Sequence, residues 1–274
     1  MSQILLPTER DVGMMITFEP QKKTHKLARI KWDAGFFNGQ GLSGTTDFDS
    51  HKDFISRLTI KPDKSKKNEI SGGLSILRGG WKQGTKYVYT SGVAQTGEQT
   101  FVVDSTPSNL GKSSPRHYYG ADIQYKWKHP HTETELRAEY WWGTQPGTSN
   151  STTNPGNLPN LNGVPLPTYI RHFDGGFFYF LQHIINMKHQ LVIKFDWYDP
   201  NIKVTAKDIG KPNSNLNSAD IQFSTLGIGY VYYINLQTKV TFYYSIIRNE
   251  KCLLAGYTAD QRDDVFTWRL QFRF

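Results

Sequence analysis

Charged residues alternate with aromatic ones along this chain, and the alternation has a period of two. In YYGADIQYKWK (118–128), Asp122, Gln124, Lys126 and Lys128 share one parity, while Tyr119, Ala121, Ile123, Tyr125 and Trp127 share the other. TELRAEYWW (134–142) sets Glu135, Arg137 and Glu139 against Leu136, Ala138, Tyr140 and Trp142. HQLVIKFDWY (189–198) sets Lys194 and Asp196 against Leu191, Ile193, Phe195 and Trp197. On a strand, such a period puts the charges on one face and the aromatics on the other. A wall carrying Arg and Lys attracts anions, Arg through its planar fork and Lys as a point charge.

The same reading of the other stretches yields Arg29, Lys31, Arg57, Lys126, Lys128, Arg137, Lys194 and Arg269 as candidate lining cations, with Lys61 and Arg273 beside them. Glu19, Asp33, Asp122, Glu135, Glu139 and Asp196 fall on the same faces, so the balance is positive but mixed. The long segment 78–117 contributes Arg78, Lys82, Lys86, Lys112 and Arg116, candidates for a constriction if it folds inward; the alternative is a solvated external loop. Other chemistry is sparse. His129 and His131 flank a proline in a short turn with no further ligand in view, so no metal site is expected. His172 and Asp174 lack a nucleophile at fixed spacing, which argues against a hydrolase. The lone Cys252 excludes an internal disulfide, and no cofactor is implied. The glycine pairs in SGGLS and LGIGY sit inside strands, where glycine marks close approach rather than a phosphate cradle.

These groups need strands to position them, and strands recur throughout with helical periodicity nowhere sustained. About 11 are legible, each of about 9–13 residues, near the roughly 9–11 that a tilted strand needs to cross a bilayer. Their connections alternate between short (21–26, 62–68, 129–133, 185–189, 235–238) and long (38–52, 78–117, 143–168, 199–220, 248–264). A further hairpin is suggested within the second long connection, at 86–92 and 99–105. The parity of 169–183 is ambiguous around Gly175 and Gly176. The chain closes on FTWRLQFRF, whose Phe266, Trp268, Leu270, Phe272 and Phe274 form an unbroken apolar stripe.

Composition agrees. Hydrophobic residues are only 37% and mean hydropathy is −0.55, yet aromatics reach 14%. That pairing suits strands with one face in lipid and one in water. No stretch approaches the roughly 20 apolar residues of a membrane-spanning helix, and MSQILLPTERD does not read as a signal peptide. The net charge of +8 alternates with aromatics on strand after strand, which is the wrong distribution for nucleic acid. In hydrocarbon a sheet must pair every backbone group internally, so the expected fold is an all-β, transmembrane antiparallel up-and-down β-barrel. Trp32, Tyr125, Trp127, Tyr140, Trp142 and Trp197 are the expected membrane-interface aromatics, joined by Phe272 and Phe274 on the last strand.

ERDVGMMITFEP, RHFDGGFFYFLQHI, HQLVIKFDWYDPN, TLGIGYVYYIN and FTWRLQF resemble the phosphate-selective porin family in its Bacteroidetes-type branch. The resemblance runs from about residue 9 to the end and rests on structural motifs. It implies a Gram-negative outer-membrane porin that passes small anions such as phosphate by diffusion, without catalysis; the alternative is a general porin or a structural or adhesive barrel. It further implies a homotrimer, contact with outer-membrane lipid, and recognition of the C-terminal strand by the barrel-assembly machinery. Family barrels have about 16 strands, an even count. The odd count here and the missing leader lead to the expectation of an N-terminally incomplete chain, the C-terminal two thirds of a porin barrel.

Overall fold

The computed structural model describes residues 10–22, 24–41 and 47–273. Fifteen strands follow in chain order: β1 (Gly13–Phe18), β2 (Ile30–Phe37), β3 (Asp53–Ile60), β4 (Asn68–Lys82), β5 (Val88–Val93), β6 (Gln99–Asp104), β7 (Ser113–Lys128), β8 (Glu133–Gly147), β9 (Asn160–Leu161), β10 (Val164–Pro165), β11 (Thr168–His183), β12 (His189–Asp199), β13 (Phe223–Tyr233), β14 (Thr238–Asn249) and β15 (Val265–Phe272). Eleven of them form one meander in the order β1-β2-β3-β4-β7-β8-β11-β12-β13-β14-β15, each antiparallel to the next. This is the strand pattern of a transmembrane up-and-down barrel wall; the described sheet is open, with β1 and β15 at its edges. Short turns (61–67, 129–132, 184–188, 234–237, and the longer 19–29) lie at one end, and the long connections at the other.

Cross-strand register keeps like with like. The row Trp32↔Leu58↔Leu74↔Ala121↔Tyr140 crosses five strands on the face termed outer here. Large apolar side chains on that face stand open, Met14 at 78%, Leu74 at 62% and Phe272 at 60% exposure. Removing one such side chain from water is worth about 1.5–3 kcal/mol. Phe266, Trp268, Leu270 and Phe272 on β15, 42–66% exposed, therefore represent about 3–7 kcal/mol between them. A surface of that kind is matched to hydrocarbon. Among the described residues no helix is long and apolar enough to cross a membrane.

The register also resolves β11. Phe178 and Phe180 face outward opposite Phe195 and Ile193, whereas Phe177 and Tyr179 face inward opposite Asp196 and Lys194. The two buried apolar clusters lie at the long-loop end. One cluster joins Leu77, Tyr118 and Phe173; another joins Phe101 and Tyr169 to Ile209, Leu216, Ile221 and Cys252 from the long connections. The suggested hairpin exists as β5–β6, but it is not a wall strand. It branches off the meander and pairs β5 in parallel with residues 168–170 of β11.

Candidate functional site

The inner wall toward the short turns is a ladder of ion pairs. Arg57 meets Asp122 at 2.6 Å and donates to Ser75 Oγ at 2.7 Å. Asp122 lies two strands from Arg57, which crosses β4 over Gly73, where a Cβ would stand 2.8 Å from its Nη2. Lys31 pairs with Asp33 at 3.0 Å, which also accepts from Thr17, and Lys61 pairs with Glu19 at 2.9 Å. Lys126 lies between Glu133 (3.4 Å) and Glu135 (3.3 Å); Arg137 and Gln124 donate to the same Glu135. Lys128 is bonded to Glu69, and Lys194 lies 2.6 Å from Asp196. Every lysine and arginine of this ladder is 27–48% exposed, so a pair whose carboxylate is also exposed, such as Arg57–Asp122 or Lys194–Asp196, contributes at most about 1 kcal/mol to stability, whereas Glu69 and Glu135 are themselves buried. The exposed pairs' larger effect is on the field: a cation with a carboxylate at contact leaves a short-range dipole, damped further over the roughly 8 Å screening length of physiological salt.

Two lining candidates stand apart. Arg29 precedes β2 in the turn, where it donates to the carbonyls of Lys61 (2.9 Å) and Ile70 (3.0 Å), closing strand ends. Arg269 sits opposite Thr241 on β15 and has no carboxylate partner among the described residues.

The constriction candidates scatter. β4 runs to Lys82 and β7 starts at Ser113, so the connection proper is 83–112 and excludes three of the five. Arg78 is on the outer face, paired with His117 and donating to Tyr119 Oη at 3.2 Å; Lys82 shares its parity. Arg116 is buried, bound to Asp53 and, at 2.9 Å, to the Gly39 carbonyl, so it is a pin in the wall rather than a pore charge. Lys86 and Lys112 do lie on the connection, one over the Tyr87 ring at 5.3 Å and the other 3.2 Å from Ser108 Oγ. At the hairpin's exit, hydrogen bonds from Asn109 and Thr106 hold the Asp104 carboxyl down at about 2.

What organises this end is a pair that sequence reasoning missed. Arg171 and Asp220 lie 2.8 Å apart with both side chains fully buried. Arg171 also donates to the carbonyls of Thr148 (2.9 Å) and Ser149 (2.8 Å), and its guanidinium lies 5.0 Å from the Phe101 ring centre and 5.6 Å from that of Tyr169. Asn201 donates to the same Asp220 oxygen at 2.8 Å. One side chain thus ties together four segments: β6, the loop after β8, β11, and the β12–β13 connection. The only signal in sequence was Tyr169-x-Arg171-x-Phe173, a cation between inward aromatics, hidden by the ambiguous parity of β11.

The interface aromatics keep to the outer face. Tyr119, Trp142 and Tyr140 stack in series (5.9 and 5.4 Å between centroids), and Tyr140 lies 6.0 Å from Trp197. Asp174 accepts from Tyr140 Oη at 2.9 Å and from Trp197 Nε1 at 3.3 Å, so its oxygens serve this belt. Trp32 begins the row that ends at Tyr140; Trp127 and Tyr125 lie toward the short turns, and Phe272 ends β15. On β7, eight residues separate Tyr119 from Trp127, about 27 Å of strand or roughly 20 Å of height at a tilt of about 40°, close to the apolar band of such barrels. Phe274 lies outside the described residues. His129 bonds Thr134 Oγ1 at 2.8 Å, and among the described residues no cluster could hold a metal ion.

No family model and no curated protein sequence matches the chain, so the resemblance to phosphate-selective porins stands on the quoted residues alone. Among solved structures, the chain is similar to the outer membrane channel DcaP of Acinetobacter baumannii, with a TM-score of 0.48 and 8% identity over 95% of this chain and 61% of that one. It is also similar to a loop L8 deletion mutant of OmpT, an outer membrane protein of Vibrio cholerae, with a TM-score of 0.40 and 10% identity over 87% of this chain and 57% of that one. The chain thus spans about three fifths of each of these proteins.

Proposed function

We propose that this chain forms the wall of a water-filled diffusion channel in a Gram-negative outer membrane, passing small hydrophilic solutes with little charge discrimination. One observation carries the reading: the two faces of the same strands are matched to different solvents. The outer face is an exposed apolar and aromatic surface, and the inner face is a ladder of half-exposed ion pairs that stay charged only in water. The long-loop end is the extracellular side and the short turns are periplasmic. The β5–β6 hairpin and the 200–222 connection, pinned by Arg171, narrow the extracellular mouth.

The anion and phosphate preference read from the sequence has no support in this geometry, because six of the eight lining candidates have a carboxylate at contact. The general porin is therefore favoured. A homotrimer, and recognition of β15 by the assembly machinery, remain part of the proposal. Liposome swelling tests it: the refolded chain should admit a small neutral sugar and an anion of similar size at comparable rates. Absence of swelling from a folded, heat-modifiable protein would overturn the channel.

A further inference from the structure

The outer face carries one feature that neither hydrocarbon nor a channel explains. Directly beyond the aromatic belt, at the long-loop end, the register sets Arg78, His117, Thr144 and His172 side by side on four neighbouring strands. The row beneath them is Ile76↔Tyr119↔Trp142↔Asp174, the belt itself. At about 4.8 Å between strands, the polar row is about 14 Å wide. The backbone N–H of Ile202 donates to the His172 carbonyl at 2.8 Å, which brings Lys203 to the end of the row. Arg78 and Lys203 are exposed, and neither has a carboxylate within ion-pairing distance among the described residues. Two carboxylates lie just below, Asp174 and its register partner Asp199; Asp174 already accepts from Tyr140 and Trp197, and Asp199 accepts from the Asn201 backbone N–H at 2.9 Å. Lys31, Arg57, Lys61, Lys126, Lys128, Arg137 and Lys194 on the inner wall each have a carboxylate at contact; Arg78 on the outer face and Lys203 beside the end of its row have none among the described residues.

We propose that this row binds the phosphate-bearing headgroup of an outer-leaflet glycolipid, with Arg78 and Lys203 as the charged contacts and the Tyr119–Trp142 stack beneath its sugar and upper acyl chains. Position decides the source of the phosphate. The row is on the lipid-facing side, one step above the apolar band, so a bound phosphate has its acyl chains directed onto that band, and a solute in the channel does not reach it. Arg offers a fork that engages two phosphate oxygens and Lys adds a point charge; between them Thr144 Oγ1 lies 3.3 Å from His172 Nδ1, and each imidazole adds one N–H donor. The width of the row accommodates a headgroup with two phosphates.

The assignment rests on the membrane reading above, and the experiment separates the two. The full chain, folded in detergent, is titrated by native mass spectrometry with lipid A carrying both phosphates, with the same lipid A after removal of its phosphates, and with inorganic phosphate as competitor. Phosphorylated lipid A should bind at least about tenfold more tightly than the dephosphorylated form, since both basic residues lose their counter-charge when the phosphates are removed. Arg78→Glu with Lys203→Glu should abolish that difference, while Lys66→Glu, on the opposite rim, should preserve it. Arg78→Gln with Lys203→Gln provides the same comparison should the charge reversals fail to give a heat-modifiable barrel. Equal binding of both lipids, or a preference untouched by the rim variants, would overturn the assignment while leaving the membrane reading intact. Full competition by millimolar inorganic phosphate would replace the lipid with a free anion. A chain that stays soluble without detergent would overturn both readings.

Discussion

The inner wall and the mouth use the same chemistry to opposite ends. Arg57–Asp122 and Lys194–Asp196 lie half in water, whereas Arg171–Asp220 and Arg116–Asp53 are almost wholly buried. In the first setting a pair is a removable decoration that tunes the field. In the second it is a pin, because a charge left alone in a buried site has no water to turn to. Burial therefore decides which Arg residues act on the field along the inner face and which hold the architecture.

The largest effect should come from breaking a pin. Arg171→Leu leaves Asp220 buried and unpaired, at a cost of about 3–5 kcal/mol. The expected outcome is a mouth that opens locally, read as rapid protease cleavage within 200–222 and a raised single-channel conductance with β-sheet content kept. The double variant Arg171→Met with Asp220→Leu should recover most of the protection, because replacing a buried pair by apolar side chains is often neutral. Recovery no better than the single variant would mean that the contacts to Thr148 and Ser149 are the real anchor.

Next in size is a change to the wall itself. A Cβ on Gly227 would stand 1.8 Å from Tyr243 Oη, so Gly227→Ala must push that ring into the lumen. A loss of about 1–3 kcal/mol in urea unfolding is expected, together with a lower conductance.

Wall pairs should behave differently. Asp122→Asn or Asp196→Asn is expected to change stability by no more than about 1 kcal/mol. Each frees a cation and should move the reversal potential toward anion selectivity; Arg57→Gln should move it the other way. Equal shifts from both signs of substitution would contradict the ladder.

The smallest effect concerns pH. The Asp104 carboxyl is held near 2, below its usual 3.8, so its stabilisation of the hairpin exit is complete above about pH 4 and is lost as pH falls toward 2. Pepsin cleavage near 104–109, relative to an unfolded control, should rise over that window and flatten in Asp104→Asn.

How much of this was legible can be argued from single strands. β2 was readable because Trp32, Ala34 and Phe36 alternate cleanly with Asp33 and Lys31, and one parity suffices to assign both faces. β11 was not, because GGFFYF is apolar on both parities; only its neighbours, Phe195 outside and Lys194 inside, fix its orientation. Arg78 and Arg116 were misplaced because RGGWK and SSPRH carry glycine and proline, the usual signs of a loop, yet both segments continue as paired strand, Gly80 opposite Pro115. The candidate cations were visible, but their neutralisation was not. Arg57 meets Asp122 only through the register of three strands, which no local pattern encodes.

The central claim is a water-filled channel whose wall charges cancel. It is tested most directly by the reversal potential of single channels in a planar bilayer under a tenfold KCl gradient. Discrete conductance steps with a reversal potential that is a small fraction of the about 59 mV of an ideally selective pore are the predicted result. A strong anion bias suppressed by added phosphate would contradict the balanced wall, and a folded barrel that gives no steps would contradict the channel.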